Sequence, residues 1–440
     1  MNLILLNATC VGEKPDGIAV YCREVIQGIL AGKQNKHYIV YINRKGINEM
    51  SFLAQRKNVT LYIIPGWFSP DHGFIGHLLR LLFSQYLALR FPRAIIFNPS
   101  PLEVALRHKY QAVMIHDLIP LLFPHDHRKQ VHFYKYLLGS ALRCAGAVIT
   151  PSKHTMKMIK KRFHPDPGKL FIIHNGIKLP ETKHINGTKR KENFILYLGR
   201  LSPTKNVAGL INAYREIADQ VPQKLVIAGG GDINLLKEQD PGGDGEIEFL
   251  GFVTDDKTNE LLCNASLFAF PSFYEGFGFP PLEAMARGCP VVVSNVACLP
   301  EVCGKAAIYA DPYDINSISK AILRVLQDKD LQSRLIKAGY KRVRKFTWAR
   351  SARQHQQAGH EAGTRGCDRA ACGVQTRVGT DELSQEARRI SETVEDAQNN
   401  VNHLVTETVE RIQAREGFKS NISAFRTQDC KLKSLLDTLA

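Results

Sequence analysis

The feature that most constrains this chain is a rhythm. Short runs of Val, Ile, Leu and Ala alternate with amphipathic segments from residue 3 to about 345, and the alternation breaks once. The first half carries LILLNA (3–8), HYIVYI (37–42), VTLYII (59–64), AIIF (94–97), AVMIHD (112–117), AVIT (147–150) and KLFIIHN (169–175). Runs this short and apolar on both faces suit parallel strands buried between layers of helix. Helical patterns at 18–32, 127–144 and 152–163 fall between them, which is the order of βαβ units. The break is PETKHINGTKRKEN (180–193), polar, basic and without period, and it predicts a linker over 181–193. The rhythm resumes with FILYLG (194–199), KLVIAG (224–229), IEFLG (247–251), LFAFPS (267–272), PVVVS (290–294) and AAIYA (306–310). Helices are expected at 206–219, 256–263, 281–287, 314–328 and 330–345. The prediction is therefore an α/β protein with two tandem doubly wound domains, 1–180 and 194–345, facing a cleft. Ligands of such sheets bind beyond the carboxyl ends of strands, so the loops to watch are 8–17, 116–126, 199–206, 229–233 and 272–280.

The remainder of the 440 residues follows other rules. From about residue 354 the chain is rich in Gly and Arg without hydrophobic period, and a disordered linker is expected over 358–380. Residues 381–440 turn helical, with sparse apolar positions at three-and-four spacing, and predict a long amphipathic helix. The formal charge of +16 favours polyanions, from nucleic acid to anionic headgroups to phosphorylated small molecules. No nucleic-acid module is recognisable, so nucleic acid is not an expected partner. Ten cysteines are scattered singly, as in a reduced, cytosolic protein. Cys298/Cys303 and Cys367/Cys372 have no paired His/Cys set nearby, so no metal site is expected there. MNLILLNATC lacks a basic leader and reads as a first buried strand rather than a signal peptide. No apolar run is long enough for a transmembrane helix. GFIGHLLRLLFSQYLALRFPR (73–93) is apolar on one side and basic at intervals; it suits either an anionic membrane surface or the core of the first domain.

Chemistry concentrates in a few places. In FYEGFGFPPLEAMARGCPVVVS (273–294) two carboxylates, Glu275 and Glu283, flank two glycines, two aromatics and a Pro-Pro pair, with no other charge between them. The prolines suit the first turn of a helix at about 281–287 and Gly288 its end. Gly276 and Gly278 would let the backbone approach a ligand, and the helix start offers N–H groups to an anion. Glu283 alone could be a charge favourable to a helix start; Glu275 and the loop are not explained that way. In LYLGRLSPTKNVAGLI (196–211), Arg200 and Lys205 follow a strand directly. A forked donor and a point charge there suit a diphosphate and could stabilise a departing one without a metal. IAGGGD (227–232) is as well explained by a tight turn as by a ligand. GEKPDGIAVY (12–21) leads through Gly17 into a helix and could cradle phosphate. MIHDLIPLLFP (114–124) puts His116 and Asp117 at a strand end, where His116 could bond a substrate hydroxyl or phosphate; their spacing does not suit a metal.

With these motifs in order, residues 1 to about 355 resemble the retaining GT-B glycosyltransferases of family 4, in the bacterial mannosyltransferase-like branch. The resemblance rests on EGFGFPPLE (275–283), GRLSPTKN (199–206), HDLIPLLFP, ITPSKHTMKMI (149–159) and IIHNGI (172–177). It implies two Rossmann-like domains, an acceptor-side one and a donor-binding one. It implies a nucleoside diphosphate sugar donor, GDP-mannose in this branch, a glycan or lipid-linked acceptor, and no metal or other cofactor. By that resemblance Arg200 and Lys205 hold the diphosphate and Glu283 the ribose hydroxyls. Glu275 and His116 meet the sugar, with Phe277, Gly278 and Phe279 adding backbone N–H groups. Gly17 approaches the β-phosphate, and residues near Val253 line the base. A hexose would move with retention in cell-surface polysaccharide or lipopolysaccharide synthesis, at the inner face of the plasma membrane. No second carboxylate is placed for the two-carboxylate glycosidase scheme, so the leaving phosphate would both steady the oxocarbenium and take the acceptor's proton. FTWARSARQH (346–355) is similar to the family's closing helix, expected over 346–357. The last stretch, 409–440, faintly resembles the C-terminal helix of flagellar rod and hook proteins.

Overall fold

The computed structural model describes residues 3–13, 16–32, 36–180 and 193–367. Residues 181–192 of the linker expected over 181–193, the stretch from 368 and the helical tail expected over 381–440 lie outside them.

Two parallel sheets carry the fold. The first contains β1 (Ile4–Asn7), β2 (Tyr38–Asn43), β3 (Val59–Ile64), β4 (Ile95–Asn98), β5 (Gln111–Met114), β6 (Ala147–Thr150) and β7 (Leu170–Ile172), in the order β3-β2-β1-β4-β5-β6-β7. The second contains β8 (Phe194–Leu198), β9 (Lys224–Ala228), β10 (Ile247–Gly251), β11 (Leu267–Phe270), β12 (Val291–Ser294) and β13 (Ile308–Ala310), in the order β10-β9-β8-β11-β12-β13. Register keeps aliphatic residues level across each centre: Leu5 lies opposite Ile39 and Ile96, and Ile195 opposite Leu225 and Leu267. Helices cover both faces, which is why these strands could be continuously apolar. Each order reverses once, between β1 and β4 and between β8 and β11. A doubly wound sheet opens its crevice at that reversal. The loops after β8 and β11 are those that carry Arg200–Lys205 and Glu275–Phe279.

Three expectations change. The 127–144 segment is two helices, Arg128–Tyr136 and Leu138–Cys144, meeting at Leu137. The helix expected at 281–287 begins earlier, at Phe279, because Gly278 takes a left-handed conformation (φ 86°) at its cap. Glu283 therefore lies in the second turn rather than the first, away from the exposed N–H groups.

The third change is larger. The closing helix does not stop at 357; it runs Trp348–Cys367, through residues expected to be disordered. Its buried face is Ser351, Ala352, His355, Ala358 and Ala362, at helical spacing. Small residues and a histidine are not strongly apolar, so this face carries no hydrophobic period in the sequence. They are used for close packing. A methyl group at Gly28 would press on Ala352, and one at Gly146 on the backbone of Ala362. The helix thus lies against the first domain although it follows the second. The crossing is tight where Ile177 N–H donates to Phe346 O at 3.1 Å and a side chain at Gly176 would overlap Trp348. The IIHNGI motif needs its glycine for that approach.

Candidate active site

The loop after β11 meets the first domain face to face. A methyl group at Gly276 would overlap the carbonyl oxygen of His116 and come within 3.0 Å of the Asp117 Cβ. Ser152 caps the Lys153–Phe163 helix by accepting from Thr155 N, and its hydroxyl donates to Gly276 O at 2.9 Å. Beside it, Glu301 of the second domain accepts from Lys153 N with both oxygens, at 3.1 and 2.8 Å, and contacts His174 Nε2 at 2.9 Å. A carboxylate is favoured at such a helix start. Gly276 was expected to approach a ligand; its missing side chain instead lets the two domains close on each other.

Folding also changes the surroundings of Glu275. Along the chain it has no charged neighbour, but Lys205 Nζ lies 2.6 Å from its Oε1, with side-chain exposures of 18% and 9%. Two residues read as serving different parts of a ligand are thus each other's partners here. The Lys205 ammonium also stands 5.8 Å from the centre of the Phe270 ring. Arg200 is exposed, and its backbone is fixed by Tyr197 Oη donating to its carbonyl at 3.0 Å. The glycine run is explained largely by packing, since a side chain at Gly229 would overlap Gly199 O and one at Gly231 would overlap Leu201.

Phe277 is buried, with its ring 5.3 Å from that of Phe279 and 5.7 Å from that of Phe346. Only its backbone can serve a ligand. The N–H groups of Phe277, Gly278 and Phe279 donate to no acceptor among the described residues, and Pro280 and Pro281 have none to offer. This is the start of an eight-residue helix with its donors unused, an arrangement suited to an anion.

Further along that helix, burial pushes the Glu283 carboxyl above the usual range, and Arg287 opposes the shift. Hydroxyl donors would favour its charged form. Asp255, at the start of the Asp255–Asn264 helix, is near enough to be felt by Glu283; Val253 lies two residues before it, partly buried against the second core.

On the facing domain, His116 Nε2 lies 2.8 Å from Pro99 O. A carbonyl only accepts, so Nε2 carries the proton. Burial pulls the imidazole pKa below its usual value, against smaller contributions from Pro99, Asp117, Asp16 and Glu103. The neutral ring thus presents Nδ1 as an acceptor, which suits a hydroxyl better than a phosphate oxygen. Asp117 accepts from Ile119 N at 2.9 Å, and burial raises its pKa, with Lys205 and Glu275 both close enough to bias it. Gly17 opens the Gly17–Leu30 helix, and a side chain there would meet no protein atom within 4 Å. Its cap, Asp16, accepts from Ala19 N at 2.8 Å.

Lys205, Glu275, Gly276, His116 and Asp117 therefore converge on one seam, with the free N–H groups beside it. The sequence reading missed Ser152, His174 and Glu301, which hold the seam shut. Only the S-x-x-T spacing of Ser152 and Thr155 hinted at a helix cap, and nothing pointed across to Gly276. Among the described residues no group of three or more His, Cys, Asp or Glu is arranged to hold a metal.

Comparison with known proteins gives the following. Residues 15–180 match the family model described as Glycosyltransferase Family 4, and residues 180–342 that described as Glycosyl transferases group 1. The chain is 38% identical over 280 residues to O-antigen chain mannosyltransferase B of Escherichia coli, covering 60% of this chain and 74% of that protein. It is 29% identical over 265 residues to O-antigen chain mannosyltransferase RfbU of Salmonella typhimurium, covering 58% and 73%. The fold matches that of sucrose-phosphate synthase from Thermosynechococcus elongatus with a TM-score of 0.63 at 21% identity, over 83% of this chain and 100% of that one.

Proposed function

This chain belongs to the group 1, family 4 glycosyltransferases and has their GT-B fold, and from that premise we propose that it moves mannose from GDP-mannose, with retention, to a glycan or lipid-linked acceptor in cell-surface polysaccharide synthesis. The observation that carries the site assignment is the Lys205–Glu275 pair lying beside three unused N–H groups and closed against His116. Mannose and a surface polysaccharide are supported by what the two O-antigen relatives are named for.

The donor would lie along the second domain's crevice, with its base near Val253 and its ribose hydroxyls on Glu283. Its diphosphate would meet Arg200, Lys205 and the N–H groups of Phe277, Gly278 and Phe279, with Gly17 approaching from the other domain. Glu275 and the Nδ1 acceptor of His116 would take the sugar hydroxyls. As the bond to the anomeric carbon breaks, negative charge grows on the β-phosphate. Preorganised cations and N–H dipoles stabilise charge where it develops, without a metal ion. The acceptor hydroxyl attacks on the face the diphosphate leaves and gives its proton to that diphosphate.

The donor can be tested with a panel of GDP-, UDP- and ADP-sugars. GDP-mannose is expected to raise the melting temperature and release GDP on turnover. Saturation at 100 times Kd corresponds to about 2.7 kcal/mol of added stability. A shift confined to a UDP- or ADP-sugar would overturn the donor assignment.

We infer that the reaction takes place at a membrane surface, because of the Gly73–Arg90 helix. Its buried face holds Gly76, His77, Arg80, Phe83, Ser84 and Leu87, whereas Phe74, Ile75, Leu78, Leu82 and Leu89 are exposed. At 100° per residue those five fall on one stripe, opposite the buried one. A helix with histidine, arginine and serine inward and an apolar stripe outward is inverted for a protein in water. Arg90 and Arg93 follow at its end, which suits anionic headgroups. No helix among the described residues is long and apolar enough to cross a membrane. Flotation with vesicles containing anionic lipid is expected to carry the protein up. The double substitution Leu78→Glu, Leu82→Glu should reduce this at least tenfold, since each buried leucine supplies about 1.5–3 kcal/mol. Equal flotation of both proteins would remove the helix as the contact.

A further inference from the structure

We propose that Tyr21 is a positioning residue for His116, and that it is held in that role by His355 of the closing helix. The inference rests on the sugar-contacting role proposed for His116.

The sequence gives no reason to join these three residues, since they lie in different elements. Tyr21 is on the Gly17–Leu30 helix, His116 follows β5, and His355 is on the Trp348–Cys367 helix. The fold brings them into one buried stack. The Tyr21 ring stands edge-on to the His116 ring, with centroids 4.7 Å apart and planes at 89°. The Tyr21 hydroxyl lies 2.6 Å from His355 Nε2. Tyr21 is fully buried and His355 nearly so.

Proton positions follow from the partners. His355 Nδ1 is 2.8 Å from the carbonyl oxygen of Ser351. A carbonyl only accepts, so Nδ1 carries the proton. Burial lowers the His355 pKa to about 4 and keeps the ring neutral. Nε2 is then a bare lone pair, and the Tyr21 hydroxyl must donate to it. A single tautomer on each histidine thus fixes the stack. Ser351 orients His355, His355 orients Tyr21, and the Tyr21 ring bounds His116 edge-on. The stack also reaches the donor loop through one further ring. Trp348, one turn before Ser351, is 6.3 Å from the Tyr21 ring and 6.2 Å from the ring of Phe279.

An edge-on ring cannot hold a neighbour by direction alone; its own orientation must be fixed. The hydroxyl bond to His355 supplies that. The geometry of the sugar-binding histidine in the first domain is therefore set by a helix that arrives after the second domain, so only the docked closing helix completes the site.

The test is a double-mutant cycle read in kcat for GDP-mannose turnover, with Tyr21→Phe, His116→Ala and the pair. Tyr21→Phe keeps the ring and removes only the hydroxyl. It is expected to lower kcat about 3- to 10-fold, the size of one net hydrogen bond. In the His116→Ala background the same change should alter kcat less than twofold, since there is no imidazole left to position. His355→Gln, which can keep an acceptor near the hydroxyl, should retain more activity than His355→Leu, at similar melting temperatures. The proposal is overturned if Tyr21→Phe costs the same factor in both backgrounds, or if His355→Gln is no better than His355→Leu. A His116→Ala enzyme with unchanged kcat would overturn the sugar-contacting role itself, and the positioning role with it. That outcome is distinguishable because it appears in the single variant.

Discussion

Glu275→Gln is expected to lower kcat about 100- to 1,000-fold, the cost of removing one preorganised electrostatic group from a transition state, while GDP binds at least as tightly as before. The two halves of this result have separate causes. Glutamine cannot supply the charged acceptor that would strengthen with the growing positive charge on the sugar. Lys205, however, loses the carboxylate 2.6 Å from its ammonium. In the proposed site a diphosphate would compete with Glu275 for that ammonium in the wild type and not in the variant. The free variant should be less stable by about 1–3 kcal/mol, below the 3–5 kcal/mol of a fully buried pair, because Lys205 keeps some solvent contact. GDP should restore more stability to the variant than to the wild type. Calorimetric titration with GDP, alongside steady-state kinetics, checks both. A fall in GDP affinity that matches the fall in kcat would mean that Glu275 binds the nucleotide and not the sugar.

The second large effect comes from one methyl group. Gly276→Ala is expected to cost about 100-fold in kcat/KM, as misplacement by an ångström can. Gly276 does not have positive φ, so alanine suits the backbone conformation. The whole cost lies in the contact with His116 O and the Asp117 Cβ. A carbonyl oxygen in a buried strand end cannot swing aside as a long side chain can, so the seam itself must open. The bond from Ser152 to Gly276 O would lengthen, and His116 would draw away from Glu275. The two cores are untouched, and the melting temperature should change little. Activity near that of the wild type would show that the catalytic state does not need this closure.

These two residues also show what could be read from the chain. Glu275 could be singled out because a carboxylate among glycines and prolines has no structural explanation along the sequence. Its pairing with Lys205 could not be read, because the partners are 70 positions apart and meet only when the loops after β8 and β11 fold over the same crevice. Gly276 was visible as a glycine that permits close approach, but not what approaches, since that is set by the packing of two domains. The strands were legible because parallel strands covered on both faces must be apolar throughout. The closing helix was cut short because it packs through Ala352, Ala358 and Ala362 against Gly28 and Gly146. Burial there depends on the absence of side-chain volume, which hydrophobic periodicity does not register. The same limit hid the Tyr21–His355 contact. Each residue sits on its own helix with an ordinary local reason to be there, and only tertiary structure joins them.

The most direct test of the account is the stereochemistry of sugar release. The proposed donor, GDP-mannose, whose mannose is α-linked, can be followed by proton NMR with purified enzyme in the absence of acceptor, where slow hydrolysis is expected. Retention predicts that α-mannose is the first anomer to form, at a rate that falls with Glu275→Gln. First appearance of β-mannose, or turnover of a UDP- or ADP-sugar with GDP-mannose left intact, would contradict it.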